Sequence, residues 1–255
     1  MRQKSILLAG NWKMNYGPKE ARAFLTALAP ALKSNAPNAT KSMRLYVPTV
    51  TLASALQCVK EHQLPLEIGS QNVHFEKSGA FTGETSAAML LEIGIHQALV
   101  GHSERRQYFG DTNETVLKRT ASALTQGLEV LVCIGETLNE RNAHQTENVL
   151  REQLTSILQD ATCVAALGTK LHIAYEPVWA IGTGVTASPE QAESAHAFIR
   201  AMLPLESSEK TKLLYGGSVT PANFRELLNC PNIDGGLVGG ASLKVENWAQ
   251  LWNLI

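Results

Sequence analysis

The sequence predicts an α/β protein, a single (β/α)8 barrel that occupies residues 1–255 as one domain, and three observations predict it. Short runs rich in Val, Ile and Leu recur eight times. Between them lie longer stretches whose apolar residues return at helical spacing. No Pro/Ser-rich linker or low-complexity segment marks a boundary, so the repeats belong to one unit. Strands alternating with helices build right-handed crossover units around a parallel sheet. Eight of them in a chain of 255 residues fit a closed ring better than an open one. The rival, a doubly wound sheet that binds a dinucleotide, needs a Gly-x-Gly-x-x-Gly turn after a strand; IGTG at 181–184 lacks the third glycine.

Taken in order, the first run is SILLAGNW (5–12), which delivers Asn11 and then Lys13, and EARAFLTALAPALK (20–33) reads as the helix behind it. RLYVPT (44–49) is the second run, and LEIGSQN (66–72) is the third, ending in Gln71 and Asn72. The segment NVHFEKSGAFTGETS (72–86) has neither period and reads as a long loop carrying Phe75 and Phe81, before the helical SAAMLLEIG (86–94). Two apolar rings on such a loop suggest that it is covered by something. ALVGHS (98–103) ends in His102 with Glu104 beyond it, and ETVLKRTASALTQG (114–127) follows as helix. EVLVCIG (129–135) leads to Glu136 and the helix ENVLREQLTSILQD (147–160). KLHIAYE (170–176) ends in Glu176, and PEQAESAHAFIRAML (189–203) is its helix. KLLYGGS (212–218) ends in Gly216, Gly217 and Ser218 before PANFRELLN (221–229), and IDGGLVGG (233–240) closes the set with Gly239 and Gly240.

Composition narrows the partners. With 22 basic and 23 acidic residues interspersed, the net charge of -1 offers no face for a nucleic-acid backbone. The apolar runs are strand-sized, well below the roughly 20 residues of a membrane helix, and MRQKSILLAGNWK turns polar too soon for a signal peptide. Cys58, Cys133, Cys163 and Cys230 lie far apart with no CxxC pair, the pattern of reduced thiols, so the cytoplasm is the expected location.

In a barrel of this kind chemistry sits on the loops leaving the carboxyl ends of the strands. Asn11, Lys13, His102, Glu176, Ser218, Gly239 and Gly240 are therefore expected on one rim. Each has a plain alternative: a surface acid or ion-pair member for Glu176, a hydrogen-bonded structural histidine for His102, a solvated lysine for Lys13. Pro177 holds Glu176 extended and fixes its aim. A carboxylate sealed from water suits a general base, because burial raises its pKa. Pro177, Gly182, Gly184, Ala180 and Ile181 spell a stiff first hinge, a free tip and an apolar seal, a lid over residues 177–187. Ser188, Pro189 and Gln191 spell an N-cap, a first-turn proline and a capping-box partner for the next helix. Trp179 is expected to pack the lid and not to touch the ligand. SERRQYFG can start a helix directly after His102, whose free N–H groups disfavour an imidazolium. Glu104 either orients Lys13 or caps that helix. Glycine pairs at adjacent strand ends, with Ser218 and the Gly182 N–H, fit a phosphate. No metal-ligand spacing and no nucleotide fingerprint is present, so no cofactor and no metal is expected. The residues together describe proton transfer beside the carbonyl of a small phosphorylated sugar.

NWKMN, SQNVH, SGAFTGE, VGHSERR, CIGE, AYEPVWAIGTG, YGGSV and LVGGASL stand in an order and spacing that resembles the triosephosphate isomerases from end to end. The resemblance implies a TIM barrel that interconverts dihydroxyacetone phosphate and D-glyceraldehyde 3-phosphate through an enediolate. It implies Glu176 as the proton-shuttling base and His102 as a neutral electrophile. Lys13 and Asn11 would stand at the substrate oxygens, with Glu104 in support, while Gly182, Ser218, Gly239 and Gly240 hold the phosphate. It also implies a homodimer in which the 72–86 loop brings Thr82, Phe75 and Phe81 against the partner's site, with Glu84 and Arg105 pairing in support. Two positions depart from the family: Val185 stands where many members carry lysine, and YVPTV lacks the usual double proline. A pentulose-phosphate epimerase or a lysine-dependent aldolase would share the glycine loops, the first needing metal and the second Lys13 as a Schiff-base former. A silent scaffold on the same fold is the remaining alternative.

Overall fold

A computed structural model describes residues 4–35, 38, 40–181 and 186–255. Eight parallel strands close in sequence order: β1 (Ile6–Asn11), β2 (Lys41–Val47), β3 (Glu67–Ser70), β4 (Gln97–Val100), β5 (Glu129–Ile134), β6 (Leu171–Tyr175), β7 (Leu213–Tyr215) and β8 (Gly235–Val238), which pairs back onto β1. Each strand falls on a Val/Ile/Leu run of the sequence. Apart from Asn11, the last residue of β1, the polar and glycine residues at the ends of the runs lie on the loops, because a parallel strand buried on both faces leaves them no place inside.

Period-two alternation sorts the side chains. Along β1, Leu7 and Ala9 face the barrel axis while Leu8 packs outward against the helices. The inward set is small: Leu7, Ala9, Tyr46, Leu99, Leu131, Cys133, Ala174, Leu214 and Leu237 fill the ring. The outer core is larger and is covered by α1 (Pro18–Ser34), α2 (Leu52–His62), α3 (Ala87–Glu92), α4 (Ser103–Tyr108), α5 (Asn113–Thr125), α6 (Leu138–Asn142), α7 (Thr146–Leu158), α8 (Ala161–Ala166), α9 (Pro189–Met202), α10 (Leu205–Ser208), α11 (Phe224–Asn229) and α12 (Val245–Asn253). The stretches with helical period became α1, α3, α5, α7, α9 and α11. PANFRELLN turns helical only from Phe224, because the Asn223 Oδ1 accepts the Thr220 N–H at 2.8 Å and holds the residues before it in a turn.

Charged groups close the floor of the barrel, at the amino ends of the strands. The Arg44 guanidinium, opposite Glu67 in the β2–β3 register, lies 2.6 Å from that carboxylate and 2.8 Å from Glu129. Arg200 pairs with Asp234 at 2.6 Å, and Asp234 also accepts the Leu213 N–H. His172 accepts the Lys212 N–H at Nδ1. Burial, with Lys212 and Arg44 adding repulsion, pushes its pKa down to about 3. Among the described residues no helix is long and apolar enough to cross a membrane.

Candidate active site

At the opposite end, Asn11, Lys13, His102, Glu176, Ser218, Gly239 and Gly240 line one cavity of about 420 Å³. The sequence expectation that residues far apart along the chain converge on one rim is met. Gly182 and Val185 lie outside the described residues.

Glu176 leaves β6 with its N–H bonded to the Ile134 carbonyl and its side chain 2 % exposed. Its two oxygens have separate partners: Oε1 is 2.9 Å from His102 Nε2, and Oε2 accepts the Ser103 N–H at 2.9 Å. Two glycines make room for it. A Cβ at Gly135 would fall 1.8 Å from the Glu176 carbonyl oxygen, and one at Gly216 would fall 2.9 Å from Glu176 Cγ, so neither position tolerates a side chain. Burial alone raises the carboxyl pKa, as the sequence suggested. The net direction is the reverse, because His102, the Ser103 N–H and Lys13 together outweigh burial and hold Glu176 below the usual carboxylate range.

His102 is the N-cap of α4, as the sequence placed it, and its Nδ1 accepts the Glu104 N–H at 3.2 Å. That bond leaves the proton on Nε2, facing Glu176. Burial disfavours the imidazolium, but the charge and hydrogen bond of Glu176, with Glu104 behind them, carry the pKa above its ordinary value in this arrangement.

Lys13 sits at φ 52°, a left-handed conformation uncommon for a side-chain-bearing residue. Three contacts impose it: its N–H donates to Asn11 Oδ1 at 2.9 Å, its carbonyl accepts from Gln71 Nε2 at 2.9 Å, and its ammonium meets Glu104 Oε1 at 2.5 Å. Glu104 therefore orients the lysine and also lends its N–H to the histidine. Of the two readings of that residue the orienting one fits, since the cap of α4 is His102 and not Glu104. The lysine stem runs beside Gly239, where a Cβ would stand 3.6 Å from Lys13 Cε.

The entry to the lid is built as expected at its far hinge and better anchored than expected at its near one. Ser188 Oγ accepts the Gln191 N–H while Gln191 Oε1 accepts the Ser188 N–H, and Pro189 opens α9. Trp179 packs and does not line the cavity: its indole donates to Glu136 Oε1 at 3.0 Å and its ring lies under the Arg141 guanidinium at 4.5 Å. Glu136, fully buried, also takes the Tyr175 hydroxyl at 3.1 Å and Arg141 at 3.2 Å. Its placement at the end of the fifth run was visible in the sequence; its task was not, since Trp179 is 43 residues away.

On the other side of Lys13 a second cavity of about 360 Å³ runs toward Glu84, Arg105 and Phe109. His74 stacks on Phe75 and leans on Phe81, which is 42 % exposed, and Thr82 is exposed. Glu84 and Arg105 do not pair within the chain. Glu84 binds Arg119 at 3.1 Å, and Arg105 binds Asp111 at 3.0 Å. Arg119 wins because it comes up from α5 beneath the loop and also donates to the Val73 carbonyl. Among the described residues no group of three or more His, Cys, Asp and Glu is placed to hold a metal ion.

The whole chain has relatives. It is 45 % identical over 252 residues to a triosephosphate isomerase of Magnetococcus marinus and 46 % identical over 251 residues to one of Paracidovorax citrulli, each match covering 97 % of both chains. The crystal structure of triosephosphate isomerase from Bartonella henselae superposes with a TM-score of 0.86 at 34 % identity, covering 98 % of each chain. The family model for triosephosphate isomerase matches residues 6–255, and with that match and the geometry of Glu176, His102 and Lys13 around one cavity, the chain belongs to the triosephosphate isomerase family.

Proposed function

We propose that, in the interconversion of dihydroxyacetone phosphate and D-glyceraldehyde 3-phosphate performed by this family, Glu176 takes the proton from the carbon beside the carbonyl and returns it to the neighbouring carbon. The observation that carries this assignment is the 2.9 Å contact between Glu176 Oε1 and His102 Nε2 at the cavity wall. Loss of the proton places negative charge on the substrate oxygen, giving an enediolate, and the His102 Nε2–H and the Lys13 ammonium are the donors that meet it. For this to happen Glu176 leaves the Ser103 N–H, and the substrate oxygen replaces it at Nε2. The same movement removes the largest of the influences that raise the His102 pKa. Burial and the Glu104 N–H on Nδ1 then keep the ring neutral, which makes it a hydrogen-bond donor and not a competing cation. Backbone N–H groups at Gly239 and Gly240, the Ser218 hydroxyl and the lid at Gly182 receive the phosphate, whose binding energy serves to close the lid and exclude water.

His102→Gln tests the assignment. Turnover of D-glyceraldehyde 3-phosphate in a coupled assay is expected to fall by about a hundredfold or more while the melting temperature stays. An unchanged rate refutes it.

We propose further that the chain acts as a homodimer in the cytoplasm. The exposed Thr82 and Phe81, Met14 at 96 % exposure and Phe109 at 67 % beside the second cavity support a partner's loop inserting next to Asn11 and Lys13. Four free, buried cysteines suit a reducing compartment. Sedimentation showing a fully active monomer at assay concentration refutes the dimer.

A further inference from the structure

Gly135, the first residue after β5, carries the backbone of Glu176. A Cβ there would fall 1.8 Å from the Glu176 carbonyl oxygen, so the two main chains touch. The residues on either side of it add bonds: the Ile134 carbonyl accepts the Glu176 N–H at 2.8 Å, and the Glu136 carbonyl accepts the Val178 N–H at 3.1 Å. A shift of this turn is a shift of the base and of the near hinge.

On its other flank the turn borders a cavity of about 700 Å³, so packing does not fix it from that side. A single side chain reaches it there. Gln153, in the body of α7, accepts the Gly135 N–H at Oε1 over 2.8 Å and donates from Nε2 to the Gly135 carbonyl over 3.0 Å. Two bonds to one residue set an orientation as well as a distance, and making both takes a group with an acceptor and a donor side by side. Leu150, Leu154 and Ile157 bury α7 in the outer core, so the amide ties the turn to a rigid layer. Gln153 does not line the substrate cavity, and whatever it does for the reaction it does through Gly135.

We propose that Gln153 is a positioning residue for the proton transfer: by clamping Gly135 it sets where the Glu176 carboxylate stands relative to the substrate carbon. Displacing a reacting group by ~1 Å can cost about a hundredfold in rate, so a turn left loose beside open space is felt in kcat. The inference rests on Glu176 being the base, and the test separates the two ideas.

Gln153→Met keeps the length of the side chain and removes both bonds. Well below the melting temperature, with the variant folded by circular dichroism, kcat in the coupled assay is expected to fall by about tenfold. In the Glu176→Asp background, where the carboxylate is already displaced, the same change is expected to cost less than about threefold. Equal losses in the two backgrounds, or no loss in the parent, overturn the proposal. A Glu176→Asp variant as active as the parent overturns instead the assignment of the base.

Gln153→Glu is the second variant and decides the matter should Gln153→Met fail to fold. Ionised, its carboxylate still accepts the Gly135 N–H but repels the carbonyl; protonated, it reproduces both bonds. The facing carbonyl favours the neutral form and brings its titration toward neutrality. Its kcat relative to the parent is expected to rise by about threefold or more between about pH 8 and about pH 6. A side chain that only stabilised the fold would leave that ratio flat in the folded proteins, and a flat ratio overturns the proposal.

Discussion

The two ends of the barrel both bury charge, and they use it differently. On the floor, Arg44 is clasped by two carboxylates and Arg200 by one, and His172 is kept neutral by burial and by neighbouring cations. On the rim, His102 and Glu176 touch each other beside open space, and each perturbs the other's proton affinity. Buried charge is therefore no mark of a site by itself. What distinguishes the rim is that its partners can be exchanged for a ligand, whereas those of the floor can only be lost. Perturbed acids and bases next to a cavity carry the functional argument, and the same groups in a packed floor carry a structural one.

The comparison breaks if the rim proves structural or the floor proves functional. The largest expected effect is that of Glu176→Asp, which shortens the base by one methylene while keeping its charge. Turnover is expected to fall by about a thousandfold, with the melting temperature retained. A melting temperature that collapses with activity would place this carboxylate in the floor's class.

Next in size is Arg44→Met, which leaves Glu67 and Glu129 facing each other without their cation. Their side chains are 44 % and 33 % exposed, so water offsets part of the loss. A destabilisation of about 1–3 kcal/mol in urea unfolding is expected, with kcat/KM within about twofold of the parent. A large fall in kcat/KM in the folded variant would give the floor a catalytic part.

The last test sharpens the contrast through pH, and its effect is smallest near neutrality. The His172 pKa is depressed to about 3 from an ordinary 6.5, so the unfolded chain binds its proton first. The stability it contributes is complete above about pH 6.5 and is lost as pH falls toward 3, at a slope of up to about 1.4 kcal/mol per pH unit. His102 has the opposite sign: its raised pKa contributes stability below 6.5 that is lost as pH rises through the folded value. His172→Asn is expected to flatten the acid limb of the unfolding free energy by one proton and leave the alkaline limb alone. An unchanged acid limb would mean that His172 is not buried as described.

Much of this was legible in the sequence because the relevant forces are local. Strands buried on both faces must be continuous in Val, Ile and Leu, so all eight could be counted. Ser188, Pro189 and Gln191 announce a helix start through contacts three residues apart, and the structure has them. His102 as the head of a helix was readable for the same reason. What escaped depends on distance in space. Helix α2 buries Leu52, Ala55, Cys58 and Val59 along one face, yet its ends carry no side-chain cap to announce it. The partner of Glu84 is Arg119, 35 residues on, and nothing in either local sequence prefers it to Arg105. The direction of the Glu176 pKa required knowing that a backbone N–H and a histidine both reach it, a fact of chain geometry and not of residue type.

The left-handed backbone at Lys13 has a consequence for how the charge of the rim is delivered. A lysine on an ordinary turn would sweep its ammonium through a wide volume, and each encounter with an anion would have to restrain it anew. Here the Asn11 carboxamide on β1 and Gln71 on the loop after β3 pin the lysine's backbone while Glu104 holds its ammonium, so the cation is placed when the ring of strands forms, before any ligand arrives. The energy stored in one unfavourable torsion is thus a down-payment on order that the substrate need not provide.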